Sequence, residues 1–264
     1  MEKIRKNHRP LILVTNDDGV MAGGIKALVE TVRPFGDVVV VAPDAAMSGM
    51  SHAITVKVPL TLTKVSEEDG LKVYNTNGTP ADCVKLSINA LFEDKPDFVV
   101  SGINHGTNSS VSVHYSGTVG AAREGALNGI PSIGFSLLNY NADADFSTAV
   151  KYCRKVFSFF LTKGMANGIY YNVNVPDGQS IKGIKVCRQA RGIWTEEFEK
   201  RIDPRGKTYF WLTGYFVNNE PENNDTDEWA LANGYVAVVP CSVDVTHYSS
   251  LEQLKQLEMP LFEE

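Results

Sequence analysis

The sequence is poor in cysteine. Cys83, Cys153, Cys187 and Cys241 are the only four among 264 residues, and none forms a CxxC or a zinc-type pairing with histidine. That excludes a zinc module and a disulfide-stapled secreted scaffold. Widely spaced thiols in a chain this long read as buried side chains in a reducing compartment, so a cytoplasmic location is expected. Long apolar runs are missing as well. Behind the basic stretch Met1–Pro10, the run Leu11–Val14 is too short for a signal-peptide core or a membrane span, and no membrane partner is expected. Excess positive charge is also lacking, since 25 Lys and Arg against 31 Asp and Glu leave a net charge of −6. An acidic chain without a Lys/Arg cluster suits neither a nucleic-acid polymer nor an anionic lipid surface. A small phosphorylated ligand stays open, because a local site can outweigh the net charge. Finally, there is no Walker-type glycine run ending in Lys-Ser/Thr, and no GxGxxG behind the first strand.

What is present is strand–helix alternation. Leu11–Thr15 reads as a strand buried on both faces, and Ile25, Leu28, Val29 and Val32 fall at helical spacing before Pro34 and Gly36. Val38–Val41 is a second buried strand. Thr79-Pro80, followed by Ala81, Val84, Ile88, Leu91 and Phe92, reads as a capped helix with proline at its first position. Phe98–Val100 is a strand, Thr118–Asn128 a helix, Ser132–Leu138 a strand, and Phe146–Phe160 a long amphipathic helix. This order predicts an α/β fold, a Rossmann-like and mainly parallel sheet with helices on both faces. After about residue 175 the pattern changes. Tyr170–Val175, Gly183–Gln189, Tyr209–Phe216 and Tyr235–Val239 read as strands, with a short helix near Trp229–Gly234 and a terminal one over Leu251–Leu257. We expect a single domain over 1–264, with an α/β core over about 10–175 and a β-rich extension over about 176–264. Strands without covering helices imply self-association, with Tyr209, Phe210, Trp211 and Tyr215 as contacts.

Chemistry is expected where the core strands end. Asn16-Asp17-Asp18-Gly19 follows the first strand, Asp44–Gly49 the second, and Ser101–Gly106 the strand at Phe98. In a doubly wound sheet, ligands bind outside the carboxyl ends of the strands. Adjacent carboxylates raise each other's pKa unless a cation compensates, and no Lys or Arg lies near Asp17 and Asp18 in sequence. With neutral oxygens from Ser48 and Asn104 they would form an all-oxygen site suited to magnesium or manganese. The same residues also make an ordinary turn and helix cap. Ser116-Gly117-Thr118 opens a helix, either as an anion cradle or as a plain N-cap. Thr79 and Asp82 read as capping residues. His52, His105 and His114 lie in these loops, where any could move a proton or merely support structure. Phosphatases of the haloacid-dehalogenase type separate their two aspartates by one residue, unlike the adjacent pair here.

The ordered set of motifs resembles the SurE survival-protein family of 5′/3′-nucleotidases. It comprises Leu11–Gly19, Ala42-Pro43-Asp44 with Ser48-Gly49, and Gly78–Cys83. It continues with Ser101–Gly106, Asn108, Tyr115–Val119, Ala121-Ala122 with Glu124-Gly125, Asn172–Pro176, Thr226-Asp227 and Gly234–Val236. Ser109–His114 depart from the family pattern, as does His105, where many members have a smaller residue. The resemblance implies a divalent-metal-dependent phosphomonoesterase acting on nucleoside 5′- and 3′-monophosphates, some members also trimming short polyphosphate. By similarity Asp17, Asp18, Ser48 and Asn104 bind one divalent cation per subunit, and Asn108, Ser116, Gly117 and Thr118 line the phosphate pocket. Asp17 would be catalytic, either as a general base toward water, the role favoured here because a carboxylate that ligates metal is a poor nucleophile, or as the group that attacks phosphorus. The family is cytoplasmic and forms a homodimer or homotetramer by exchanging parts of the C-terminal half. The alternatives are a phosphatase for another small phosphate ester, and a non-catalytic nucleotide or metal sensor on the same fold.

Overall fold

A computed structural model describes residues 3–178 and 180–258; the last part of the expected extension, 259–264, lies outside the described residues. Nine strands form one sheet. β1 (Leu11–Thr15) lies at its centre, buried along its whole length, as an unbroken apolar run between two helical layers requires. On one side follow β2 (Asp37–Pro43), β4 (Leu71–Thr76) and β3 (Thr63–Glu68). On the other follow β5 (Phe98–His105), β6 (Ser132–Leu137), β7 (Ile169–Val175), β13 (Tyr235–Ser242) and β8 (Gly183–Val186). Pairing is parallel from β4 through β7. β3 joins β4, and β13 joins β7, antiparallel.

The period of two along β1 splits the core. Ile12 and Val14 face α1 (Gly23–Val32) and α4 (Ser147–Lys163), where Leu28, Cys153 and Phe157 are buried. Leu11 and Leu13 face the opposite layer, with Cys83 and Val84 of α2 (Pro80–Leu86) and Ala121 of α3 (Gly117–Leu127). Helices therefore cover both faces, as expected. Thr79 and Asp82 cap α2 reciprocally: the Asp82 N–H donates to the Thr79 hydroxyl at 3.1 Å, and the Thr79 N–H to the Asp82 carboxylate at 3.0 Å.

Three features differ from the sequence reading. The hairpin β3–β4 was not expected; β3 is exposed at every position, so Thr63–Glu68 carries no apolar alternation to announce it. The stretch Tyr209–Phe216 is not one strand but two, β11 (Thr208–Leu212) and β12 (Tyr215–Asn218), broken at Thr213-Gly214. Beyond residue 175 the strands also divide between structures. β8 and β13 extend the main sheet. β9 (Gly192–Thr195) pairs with β12, and β10 (Phe198–Ile202) with β11, as two separate ribbons. Tyr209, Phe210, Trp211 and Tyr215 on these ribbons are exposed in the single chain. Two short helices, α5 (Asp227–Ala232) and α6 (Tyr248–Leu254), flank β13 in sequence. No helix among the described residues is long and apolar enough to cross a membrane.

Candidate active site

The chain leaves β1 toward β2 on one side and returns to β5 on the other, so the switch point lies between β1 and β5. The loops behind β1, β2 and β5 meet there. The Met47 N–H donates to the Asp17 carbonyl at 2.7 Å, tying the second loop to the first. β5 slips in register against β6 between Ser101 and Asn104, an irregularity of the kind that re-aims a side chain next to a site. Asp17, Ser48, Asn104, Asn108 and Ser116 line one cleft of about 380 Å³.

Asp17 is 3% exposed and packs onto the N-terminus of α3. The Thr118 hydroxyl donates to its Oδ1 at 2.5 Å, and the Thr118 backbone N–H also reaches it. A Cβ at Gly117 would stand 2.9 Å from the Asp17 Cβ, so only glycine admits this approach. Burial pushes the Asp17 carboxyl up to about 6; the bonds from Thr118 oppose the shift, and the charge of Asp18 adds to it. Asp18 is also raised by burial, partly offset by the His105 backbone N–H, which donates to its Oδ2 at 3.3 Å.

Asn104 gives both of its amide N–H groups to backbone carbonyls, of His105 at 3.0 Å and Gly106 at 2.9 Å, and so presents its oxygen. Asn108 is fixed from β6 and β7. Its Nδ2 donates to the Ser136 hydroxyl at 2.8 Å, its backbone N–H to Asn174 Oδ1 at 2.8 Å, and its carbonyl accepts from Asn172 at 2.7 Å. The Ser116 hydroxyl accepts the Val119 N–H at 3.0 Å as N-cap of α3, which leaves its own proton free to donate. Gly117 and Thr118 stand one layer back, against Asp17.

A family model described as Survival protein SurE matches residues 12–196. The chain belongs to the SurE family. It is 51% identical over 250 residues to the 5′-nucleotidase SurE of Phocaeicola vulgatus, covering 95% of this chain and 97% of that protein. It is 53% identical over 251 residues to the 5′-nucleotidase SurE of Cytophaga hutchinsonii, covering 94% and 96%. The crystal structure of the SurE protein from Aquifex aeolicus superposes with a TM-score of 0.82 at 41% identity, over 95% of this chain and all of that one.

The donor set fits a hard cation. Asp17 and Glu197 are the carboxylates that line the cleft, with no Lys or Arg among its described lining residues, while Asp18 is next to Asp17 in the chain but is not itself in the lining. The Asn16 Oδ1 and Ser101 Oγ atoms near the strand ends are buried without a hydrogen-bond partner. No group of three or more His, Cys, Asp or Glu gathers among the described residues.

The three histidines separate. His52 pairs through Nε2 with Glu124 Oε2 at 2.9 Å, and Lys85 reaches Glu124 Oε1 at 3.1 Å, fastening the loop behind Ser48 to α3. His105 lines the cleft with its ring edge-on to Phe146, centroids 4.9 Å apart. His114 is exposed, and its carbonyl accepts from the Ser51 hydroxyl at 2.6 Å.

Most of the other supports stood in the matched motifs without a role being read for them. Asp227 is buried and accepts the N–H groups of Ser110 at 2.8 Å, Ala190 at 2.8 Å and Glu228 at 2.9 Å. It thereby locks the 3₁₀ turn Ser110–His114 to the C-terminal half. The Glu228 carboxylate accepts from the Ser109 hydroxyl at 2.5 Å. The alternation Asn172-Val173-Asn174 in an apolar strand was the available signal for Asn108's supports, since two polar residues at period two share a face.

Proposed function

We propose that the chain is a divalent-metal-dependent 5′-nucleotidase, hydrolysing nucleoside 5′-monophosphates to nucleoside and phosphate, with 3′-monophosphates and short polyphosphate as further substrates. The observation that carries this reading is a cleft whose described lining holds the carboxylates of Asp17 and Glu197 and no Lys or Arg. Its charge balance calls for a cation from outside the chain. The names of the relatives, 5′-nucleotidase SurE, support the substrate class.

In this reading Asp17, Asp18, Ser48 and Asn104 hold one magnesium or manganese ion. When bound, such an ion neutralises phosphoryl oxygens and lowers the pKa of water. Asn108 and Ser116, the latter capping the N-terminus of α3, take the phosphate oxygens, while Gly117 and Thr118 back Asp17. Asp17 acts as general base. It receives a proton from the attacking water as the water oxygen bonds to phosphorus, while the ester P–O bond breaks and the leaving oxygen takes a proton from solvent. Thr118 fixes the orientation of Asp17 for that transfer.

The exposed aromatics of β10–β12 support assembly into a homodimer or homotetramer, since an apolar surface of this kind marks an interaction site. Four free cysteines, three of them buried, fit the reducing cytoplasm. Light scattering reads the assembly directly, and a monomer at micromolar concentration contradicts it. The activity is tested by phosphate release from a panel of nucleoside 5′- and 3′-monophosphates, with manganese and with chelator. Release that needs the metal is expected; none from any nucleotide in either condition, with the protein folded, would favour the sensor alternative.

A further inference from the structure

The cleft has two chemically different ends. Its floor carries Asp17, Asn104 and Asn108, and its rim carries the rings of Tyr140 and Trp194. Tyr140 follows β6 and is 70% exposed, yet its ring has a built seat. A Cβ at Gly106 would stand 2.1 Å from Tyr140 Cε1 and 2.6 Å from Cδ1, so the ring packs directly on a bare stretch of backbone. The Thr107 N–H approaches the Tyr140 hydroxyl at 3.4 Å. The ring thus packs on the loop that leads into Asn108, at Gly106, two residues or at most about 7 Å of chain before it. Trp194 is steadied from behind by Phe216, ring centroids 6.1 Å apart and nearly edge-on, and lines the same cleft from β9.

A large apolar ring held in place but left open is a pre-organised flat surface, which binds at little entropic cost. A phosphate ester anchored on the floor carries its leaving group toward this rim. The group that matches an exposed aromatic face there is a flat base. We propose that Tyr140 is a specificity-determining residue that stacks on the base of the nucleoside monophosphate, with Trp194 bounding the base from the hairpin side; this rests on the nucleotidase reading above. Stacking accepts any base, because every base has a π-face. The rim therefore separates nucleotides from base-free phosphate esters more sharply than it separates one base from another.

The test compares kcat/KM for adenosine and cytidine 5′-monophosphate with that for ribose 5-phosphate in the wild type, Tyr140→Ala, Tyr140→Phe and Trp194→Ala. The wild type is expected to prefer both nucleotides. In Tyr140→Ala this preference falls about tenfold, mainly through KM, toward the low end of what a base–aromatic stack contributes. Tyr140→Phe keeps the preference, and Trp194→Ala weakens it in the same direction. A Tyr140→Ala protein that loses activity on all three substrates equally has lost support for the Asn108 loop, and that overturns the proposal. Equal kcat/KM of the wild type for nucleotides and ribose 5-phosphate also overturns it while leaving a phosphatase in place. A wild type that hydrolyses no nucleotide overturns the nucleotidase reading itself.

Discussion

Helix α3 meets one buried carboxylate from the β1 loop and carries another of its own, with opposite fates. Asp17 sits on its N-terminus at 3% exposure, and Glu124 lies two turns further on at 4%. Burial pushes both upward. At Glu124 it is outweighed by the bonds from His52 and Lys85, and the group ends below its ordinary value. At Asp17 it is opposed mainly by Thr118 and reinforced by Asp18, and the group is pushed up to about 6. Glu124 has its cations built into the chain, so it serves as a clamp. Asp17 and the half-buried Asp18 have no Lys or Arg partner among the described residues, only His105 near Asp18, and in the proposed reading they take a cation that arrives separately. The difference between clamp and site thus lies in the partners, not in burial.

The largest expected effect falls on the uncompensated side. Asp17→Asn removes the base and a ligand together, and kcat should drop by about 10²–10⁴-fold, the range a general base contributes. Steady-state phosphate release at saturating manganese checks this, and a loss below about tenfold would remove Asp17 from the proton transfer.

Next in size is a pH effect on metal-free stability. The folded Asp17 carboxyl is raised from 3.8 to about 6. Its contribution to stability is therefore fully present below pH 3.8 and lost as pH rises through about 6. The loss is on the order of 3 kcal/mol. Asp17→Asn does not titrate, so in chelator it should gain on the wild type as pH rises through that window. Denaturant unfolding at pH 4 and pH 7 reads the difference. A gap that stays constant across the window would mean that Asp17 is not raised.

Glu124 should behave in the opposite sense and by less. Glu124→Gln leaves His52 and Lys85 facing a neutral amide, a loss of order 1–3 kcal/mol near neutral pH. A carboxyl lowered from 4.5 gives stability that is present above 4.5 and lost as pH falls through its folded value. The gap between wild type and variant should therefore close in acid, and the stabilisation by manganese should survive. A Glu124→Gln protein that no longer responds to manganese would erase the distinction between clamp and site.

The sequence carried much of this, but unevenly. Asn16–Gly19 was legible because a fully apolar strand ending in two carboxylates is a local pattern, and the Thr79–Asp82 box because capping is local too. The edge strand β3 was not, since it buries nothing and Thr63–Glu68 reads as polar loop. Thr118 was read as a phosphate ligand, whereas in the fold its hydroxyl is turned to Asp17, a contact between residues 101 positions apart. The grip of Asp227 on Ser110 spans 117 positions, and the shared cleft of Tyr140, Trp194 and Asn108 exists only once β6, β9 and β5 have been assembled. Local chemistry can be read along the chain, but convergence requires the topology.

The central claim, that Asp17 and Asp18 form a cation site and not a turn, is tested most directly by thermal melts of wild type and Asp18→Asn with chelator and with manganese. Removing one of two repelling carboxylates should leave the metal-free melting temperature unchanged or higher, and should abolish most of the upward shift that manganese gives the wild type. A merely capping Asp18 predicts the reverse, a metal-free loss of up to about 0.5–2 kcal/mol with the manganese response intact. An Asp18→Asn protein that melts lower in chelator, keeps the full manganese shift and stays active without metal would contradict the account.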